Sequence, residues 1–407
     1  MLRSMLCATA LAVAAVVAHA QQPDELKKLQ QRVDRLEGQS RGPGFNPEMS
    51  VILQGTAASI KQDPQTYQIT GFAPSGGEVG PPRRGFSLAE SELWLGGNID
   101  PYFRSQLVAA LTPEDEIEVE EAFFQTLALG SGFTLKGGRF LSGIGYQNEI
   151  HQHAFDFQDT ALPYKAFLGG RLNDDGVQLK WVAPTSFLLE LGAEAGRGRS
   201  FPATDPNKNG AGAWSAFAHV GGDIWRAGLS YLRVKPKDRA FEDTDSLGGA
   251  TTQSFTGESK LWIADVVVKW RDLKLQGEYF RREESGELTF NDTSTDTYSS
   301  EQSGWYAQAV YRFLPQWRVG YRYDRLDHGD ISNGIVDNGL GPSAADFPLL
   351  MTDHNPSRNT LMVDWSPTEF SRVRLQFAQD RSRAGVTDDQ VVLQYILSLG
   401  VHGAHKF

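Results

Sequence analysis

Hydrophobic and polar residues alternate along most of the chain after about residue 50. In the clearest segment, one face carries Trp305, Ala307, Ala309, Tyr311 and Phe313, and the other carries Tyr306, Gln308, Val310 and Arg312. A period of two is typical of a β-strand that has one apolar face. The pattern therefore predicts a chain built mainly of strands.

Tight turns join these strands in pairs. Seven short segments have this character, at residues 97–101, 130–133, 183–186, 221–223, 270–273, 314–316 and 366–369. Each links two alternating segments as a β-hairpin. One strand near residues 50–58, two strands in each hairpin and a closing strand at residues 390–401 together predict sixteen strands.

Longer polar segments are predicted to connect the hairpins, at residues 60–85, 142–175, 197–210, 235–258, 284–303 and 328–357. Short turns that alternate with long loops are typical of outer-membrane barrels, in which the turns face the periplasm and the loops face outward. We therefore predict an all-β fold, a transmembrane antiparallel β-barrel of about 16 strands over residues 50–407. An even number of strands places both of its ends on the periplasmic side.

Composition separates this barrel from other classes of protein. Hydrophobic residues make up 40% of the chain, and after residue 20 no apolar run approaches the ~20 residues of a transmembrane helix. A large soluble β protein is the alternative that composition leaves open. The chain has 39 basic and 50 acidic residues and a net charge of −11, which disfavours a nucleic-acid partner.

The first twenty residues have the features of a secretory signal peptide. Arg3 precedes an apolar stretch at residues 6–17, and Ala18-His19-Ala20 forms a cleavage site with small residues at both ends. The alternative is a retained anchor, but the stretch is short for a helix that crosses a bilayer. Cys7 lies inside this segment and is the one cysteine of the chain, so we expect no cysteine chemistry in the mature protein.

Residues 21–40 carry a short heptad pattern. Leu26, Leu29, Val33 and Leu36 recur at spacings of three and four among charged residues, which predicts a coiled-coil helix. Because one short helix is marginal in water, the pattern favours association of copies as a homotrimer. The alternative is a solvated tether, and residues 41–49 are predicted to form a linker.

The end of the chain and its tryptophans favour the outer membrane. The closing strand alternates apolar residues, and the chain stops at the aromatic Phe407, which resembles the signal by which barrels reach the barrel assembly machinery. Tryptophans near predicted strand ends fit an aromatic girdle in contact with outer-membrane lipid and lipopolysaccharide: Trp94, Trp181, Trp225, Trp262 and Trp270.

The face opposite the aromatic residues would line the lumen, and it is basic. The predicted pore-lining residues are Arg104, Lys180, Arg226, Lys274, Arg312, Arg318, Arg322, Arg372 and Arg374. Acidic residues gather in the loops, and Glu149, Asp156 and Asp159 of residues 142–175 are the candidates for a constriction loop. An acidic loop that faces basic strands would create a transverse field. The alternative is that the arginines pair with neighbouring acids.

A metal site is a second hypothesis for the same loop. Glu149, His151, His153 and Asp156 offer nitrogen and oxygen ligands suited to Zn²⁺. The alternative is that the histidines are ordinary loop residues, in which case the protein has no cofactor. His402 and His405 are a weaker candidate pair near the terminus.

An enzymatic role is not predicted. A barrel hydrolase needs a nucleophile and a base on adjacent strands together with an orienting acid. His219 falls on a lumen face near Ser215, but the sequence indicates no acid to orient it. We therefore expect a channel for passive diffusion of small polar or charged solutes, and no enzyme.

Two resemblances accompany these inferences. The acidic and aromatic residues 118–125, followed by the Gly-Arg-Phe segment at residues 138–140, resemble a central hairpin of phosphate-selective porins and related coiled-coil-bearing porins, which implies a trimeric diffusion channel. Residues 140–157 and the ending at residues 402–405 resemble uncharacterised outer-membrane proteins that are labelled zinc-regulated or receptor-like. That likeness implies a metal-linked uptake protein or receptor as the alternative function, although the chain has no plug domain and is too short for a barrel of about 22 strands.

Overall fold

The structure, a computed structural model, describes residues 47–76, 79–204 and 209–400. The predicted signal peptide, the heptad helix, most of the linker, the histidines of the C-terminal segment and the terminal Phe407 lie outside these residues. Within the described residues no helix is long and apolar enough to span a membrane.

Eighteen strand segments form one closed antiparallel sheet. They are β1 (Glu48–Ile60), β2 (Gly85–Leu88), β3 (Ser91–Asn98), β4 (Phe103–Leu111), β5 (Ile117–Thr126), β6 (Phe133–Leu141), β7 (Asn173–Val182), β8 (Leu188–Gly196), β9 (Ala213–Gly221), β10 (Trp225–Val234), β11 (Arg239–Thr244), β12 (Ala250–Trp270), β13 (Leu273–Phe290), β14 (Ser294–Leu314), β15 (Trp317–Asn333), β16 (Ser357–Thr368), β17 (Ser371–Arg381) and β18 (Asp388–Gly400).

Two of the barrel strands are interrupted, and this accounts for the number of segments. β2 and β3 both pair with β1, and β10 and β11 both pair with β12. β1 closes the barrel against β18, from Ser50 opposite Gly400 to Ile60 opposite Gln390. The prediction of a sixteen-stranded antiparallel barrel is therefore confirmed.

All seven predicted tight turns are present at one end of the barrel. Two of the predicted long loops are wrong, however. Residues 250–270 and 294–314 are continuous strands of 21 residues, although about 9–11 residues suffice to cross a bilayer. The polar composition of residues 235–258 and 284–303 instead reflects strands that continue beyond the membrane, where the outer face meets water and carries ion pairs such as Arg281 with Glu301 at 2.9 Å.

The two faces of the wall differ as the alternation predicts. Trp305, Tyr311 and Phe313 point outward and are 39%, 49% and 45% exposed, whereas Gln308 of the same strand is buried inside the barrel. An apolar outer face and a polar inner face are the arrangement of a barrel that sits in lipid.

Loop segments fold into the barrel and build its interior. The helix α1 (Leu162–Leu168) is buried along its whole length, and Gly169 ends it in the left-handed region at φ 67°, where a side chain would meet the Ser75 carbonyl. In the part of the chain that the structure describes, the connections also contain a second short helix, α2 (Gly334–Asp337), and the 3-10 turns Pro64–Thr66, Gln152–Ala154 and Ala344–Asp346. Apolar residues of these loops pack against inward-facing residues of the wall.

Candidate functional site

The connection between β6 and β7, residues 142–172, is the third loop, and it lies inside the barrel. Asn148 closes its base: its side-chain nitrogen donates to the carbonyls of Ser142 at 2.8 Å and Leu172 at 2.9 Å, and its oxygen accepts from the Leu172 amide at 2.7 Å. The fully buried Asn148 side chain therefore holds both ends of the loop at the wall.

The first part of the third loop is bound to two glutamates of the wall, one near the base of the loop and one across the barrel. Glu278 of β13 accepts from the amides of Tyr146 at 2.9 Å and Gln147 at 3.1 Å, and Glu194 of β8 accepts from the Gly143 amide at 2.8 Å. Buried backbone amides need such acceptors. The loop therefore crosses the lumen rather than resting on one side of it.

Asp159 joins the middle of the loop to three buried cations. Its carboxylate accepts from Lys165 at 2.6 Å, Arg322 at 3.0 Å and Arg358 at 2.5 Å. Burial alone would raise the pKa of Asp159, but the charges of Arg358, Lys165 and Arg322 outweigh it and hold the pKa well below its usual range. Asp159 is therefore an anion that ties the loop to β15 and β16.

Asp156 lies against a group of cationic side chains that we call the basic patch: Lys274, Arg318, Arg372 and Arg374. Asp156 accepts from Lys274 at 2.8 Å and Arg318 at 3.0 Å. Arg374 donates to the carbonyl of Phe155 at 2.7 Å. Burial raises the pKa of Asp156, but the charges of Lys274 and Arg318 lower it by a larger amount. The pKa of Asp156 therefore lies below its usual value.

The other predicted pore-lining residues occupy different positions. Lys180 pairs with Glu190 at 3.0 Å, and Arg226 lies over the ring of Tyr146. Arg312 is exposed near a turn and pairs with Asp272 at 3.0 Å, which places it at the rim. Arg104 is half-buried on the inner side of β4.

A cavity of about 460 Å³ opens beside the turn between β9 and β10. Its wall combines cationic and anionic side chains with His219: Glu149, Lys180, Glu190, Asp223, Arg226 and Lys269. His219 contacts Glu190 at 3.1 Å. The cavity lies at the turn end of the barrel, and charged side chains form part of its wall.

His151 and His153 lie where the third loop meets β3 and β5, and with Glu92, Glu120 and Glu121 they form the acid–histidine cluster. His153 Nδ1 is 2.8 Å from Glu92, and His151 Nε2 is 3.1 Å from Glu121. Burial lowers the pKa of His151, but Glu120 and Glu121 outweigh it and raise the pKa well above its usual range.

A β-bulge explains how two successive glutamates face the same side. Val108 of β4 pairs with Glu121, but the next residue, Ala109, pairs with Val119. Glu120 is therefore an extra residue in β5, and both Glu120 and Glu121 are buried. A bulge of this kind re-aims a side chain next to a functional site.

The predicted metal ligands do not come together as a set, and this is a correction. Glu149 lines the cavity at the turn end, and Asp156 is occupied by Lys274 and Arg318. Among the described residues, the metal-binding side chains whose ligand atoms lie within 4.8 Å of one another are Glu92, Glu120 and His151. Loop spacing alone does not reveal this group, because two of its members come from the wall.

No family model matches the chain. An uncharacterized protein of Aquifex aeolicus (strain VF5) is 32% identical, over 80% of this chain and 71% of the relative. The chain belongs to the family of this Aquifex protein. Sequence identity thus establishes the family, but it does not indicate an activity.

Solved structures of outer-membrane proteins resemble the chain in fold. OmpT of Vibrio cholerae, in a trimer form, has a TM-score of 0.55 at 10% identity and covers 87% of this chain and 99% of its own. The outer membrane channel DcaP of Acinetobacter baumannii has a TM-score of 0.55 at 11% identity over 87% and 97%. An anion-selective porin from Comamonas acidovorans has a TM-score of 0.54 at 10% identity over 87% and 97%.

This family member therefore has the closed-barrel fold of outer-membrane porins. The particular porin groups that the sequence resembles are not among these neighbours.

Ser215 and His219, the residues considered for a hydrolase, contact different glutamates. Ser215 donates to Glu194, and His219 contacts Glu190. This arrangement offers no relay from a base to a nucleophile.

Several residues of the interior lie outside the predicted sets. Arg358 is not among the predicted pore-lining residues, although it binds Asp159, and Glu92 and Glu120 are not among the predicted metal ligands. One signal was available: the adjacent glutamates 120 and 121 break the period of two in an otherwise regular strand.

Proposed function

We propose that the protein is an outer-membrane channel for passive diffusion of small charged solutes. The observation that carries this proposal is the third loop, which crosses the lumen of a porin-like barrel and is held there by charged side chains of the wall. A pore narrowed by an inward-folded loop selects solutes by size and charge.

The charges of the lumen are divided between two regions. The acid–histidine cluster lies on β3 and β5, and the basic patch lies on β13, β15 and β17, with residues 151–156 of the third loop between them. Fixed charges of opposite sign on different parts of a wall produce a field across the passage. Such a field favours charged or strongly dipolar solutes over neutral apolar ones.

A channel of this kind should conduct ions in planar bilayers. We expect step-like openings of the purified protein, and a larger conductance when residues 150–170 are replaced by a short Gly-Ser linker, because the linker leaves the lumen clear. Heat-modifiable migration in gels checks that the shortened barrel folds. Absence of conductance in both forms, with both barrels folded, would refute the channel proposal.

Selectivity should depend on the basic patch. Replacing Arg372 and Arg374 together by Gln removes two positive charges from the lumen, so the reversal potential under a salt gradient should move toward cation preference. Arg281→Gln is the matched control, because Arg281 lies on the outer face of β13 and pairs there with Glu283 and Glu301. An equal shift in the control and the double variant would contradict the assignment of these arginines to the solute pathway.

We also propose that three copies associate through the heptad segment. One structural neighbour is a trimer, and residues 21–40 carry the heptad pattern. Deleting residues 21–41 should lower oligomer stability and spare the barrel, as measured by mass in detergent and by native gels. A monomeric mass for both the complete mature chain and the shortened chain would rule out this assembly.

Other roles remain predictions. The apolar outer face supports contact with lipid and lipopolysaccharide, and delivery by the barrel assembly machinery is inferred from the C-terminal pattern. The comparisons give no support to a metal-linked uptake protein or receptor. Diffusion through the lumen therefore stands as the proposed function.

A further inference from the structure

Three metal-binding side chains converge where the third loop meets the wall. Nδ1 of His151 lies 3.4 Å from Oε2 of Glu120 and 3.5 Å from Oε2 of Glu92. We infer that Glu92, Glu120 and His151 form a binding site for a divalent transition-metal ion such as Zn²⁺. The site is a feature of the chain in its own right and does not rest on the proposed channel function.

The distances fit shared coordination better than hydrogen bonding. N–H···O hydrogen bonds are about 2.7–3.2 Å long, so both contacts of Nδ1 are too long. Two ligands of one tetrahedral ion with bonds of ~2.1 Å lie about 3.4 Å apart. The two separations of His151 from the carboxylates therefore match the edges of a coordination tetrahedron.

The unsatisfied atoms point to the same place. Nδ1 of His151 and Oε2 of Glu120 are buried atoms without a hydrogen-bond partner, and the Glu120 side chain is only 8% exposed. Buried polar atoms are normally paired. A cation between these atoms would satisfy both of them at once.

The surrounding residues orient the ligands as a metal site requires. With Nδ1 of His151 turned to the ion, Nε2 carries the hydrogen and donates to Glu121 at 3.1 Å. Glu121 also accepts from Gln106 at 2.7 Å and from the Leu141 amide at 3.2 Å. A carboxylate behind a ligating histidine fixes its tautomer and raises its basicity. His153 Nδ1 lies 2.8 Å from Oε1 of Glu92 and so helps to orient Glu92, the second ligand.

The charge of the region also calls for a cation. The acidic and basic side chains here are four carboxylates and two cationic groups: Glu90, Glu92, Glu120 and Glu121 with Arg171 and Lys136. A metal ion displaces the proton from the nitrogen that it binds, and with both histidines neutral the four carboxylates exceed the two cationic groups by two negative charges in a largely buried place. One divalent ion balances them, and a mixed nitrogen and oxygen donor set suits Zn²⁺ and its neighbours in the first transition series.

The site would connect the third loop to the wall. Glu92 lies on β3 and Glu120 on the bulge of β5, whereas His151 belongs to the loop. An ion held by all three side chains therefore binds the loop to two strands of the barrel. The half-buried His151, with a side chain that is 19% exposed, leaves a route by which the ion reaches the site.

The test is titration of the full-length, tag-free protein in detergent with Zn²⁺, followed by calorimetry, and with Co²⁺, followed by its visible absorption. We expect one ion per chain. His151→Ala and Glu120→Gln should abolish it, and Glu121→Gln should weaken it by about 10–100-fold because Glu121 only orients His151. Glu120→Gln keeps the size of the side chain, so the bulge should be preserved.

His219→Ala is the matched control, because His219 is a buried histidine that contacts a glutamate elsewhere in the lumen. It should bind Zn²⁺ as the wild type does. Lack of binding by a folded wild-type barrel would show that the cluster is held by imidazolium–carboxylate pairs alone and would overturn the inference. Equal binding by the wild type and the His151 and Glu120 variants would assign the ion to another place and would overturn it as well.

Discussion

Replacing Asp159 by Asn should release the third loop while the barrel remains closed. The substitution keeps the shape of the side chain but leaves Lys165, Arg322 and Arg358 without their shared counter-ion. Removing one partner of a buried ion pair costs about 3–5 kcal/mol. Limited proteolysis should then cut within residues 150–170, and the thermal midpoint should fall.

The matched control for this change is Asp389→Asn. Asp389 forms an exposed pair with Lys61 at 3.5 Å, and exposed pairs contribute about 0–1 kcal/mol. The control should therefore keep the loop protected. If Asp159→Asn is as resistant to protease as the control, Asp159 does not anchor the loop.

The same anchor has a defined dependence on pH. Because the pKa of Asp159 is lowered in the folded state, its contribution to stability is complete above the ordinary aspartate value of about 3.9. It is lost only as pH falls through the lowered pKa. The wild-type loop should therefore stay protected at mildly acidic pH, and the Asn variant should lack this particular transition.

Replacing Phe167 by Ala should loosen the apolar cluster inside the barrel and change the conductance of the channel. Phe167 is fully buried in α1, with the ring of Phe72 at 5.6 Å and that of Phe280 at 6.0 Å. A Phe-to-Ala change in a core costs about 3–5 kcal/mol and leaves a cavity. Single-channel recordings should show larger or more variable conductance, because the helix loses its contact with both the wall and the connection between β1 and β2, which carries Phe72.

Phe377→Ala provides the comparison for Phe167. Phe377 points outward from β17 and is 46% exposed, so its truncation removes contact with lipid and leaves the interior intact. Its recordings should match those of the wild type. Identical conductance of the Phe167 variant would mean that the apolar cluster does not limit the passage.

The wall could be predicted from sequence because each of its signals is local. The outward residues Trp305 and Tyr311 and the tight turns follow from alternation and turn chemistry over a few positions. The strand at residues 294–314 includes a segment that the sequence predicts as a loop, because a strand outside the membrane loses its apolar face and keeps its pairing. Hydrophobic alternation indicates which residues of a strand face lipid. Outside the membrane the alternation ends, but the backbone hydrogen bonds between the strands continue.

The site could be predicted only in part. The sequence indicates that Asp156 and Asp159 lie in a loop that enters the lumen and that Arg322 faces inward, but the partnership of Asp159 with Arg358 joins residues that are 199 positions apart. The sequence indicates His151 as a candidate ligand, but it does not indicate Glu92 or Glu120. Their proximity depends on the register of strands and on a bulge, neither of which follows from local composition.

The bulge in β5 also shows how little change a barrel needs to acquire such a group. The bulge absorbs one extra residue, so that Glu120 and Glu121 both turn inward while the residues on either side keep their pairing with β4. A wall of alternating residues can thus gain a second inward carboxylate without a new loop and without disturbing its closure.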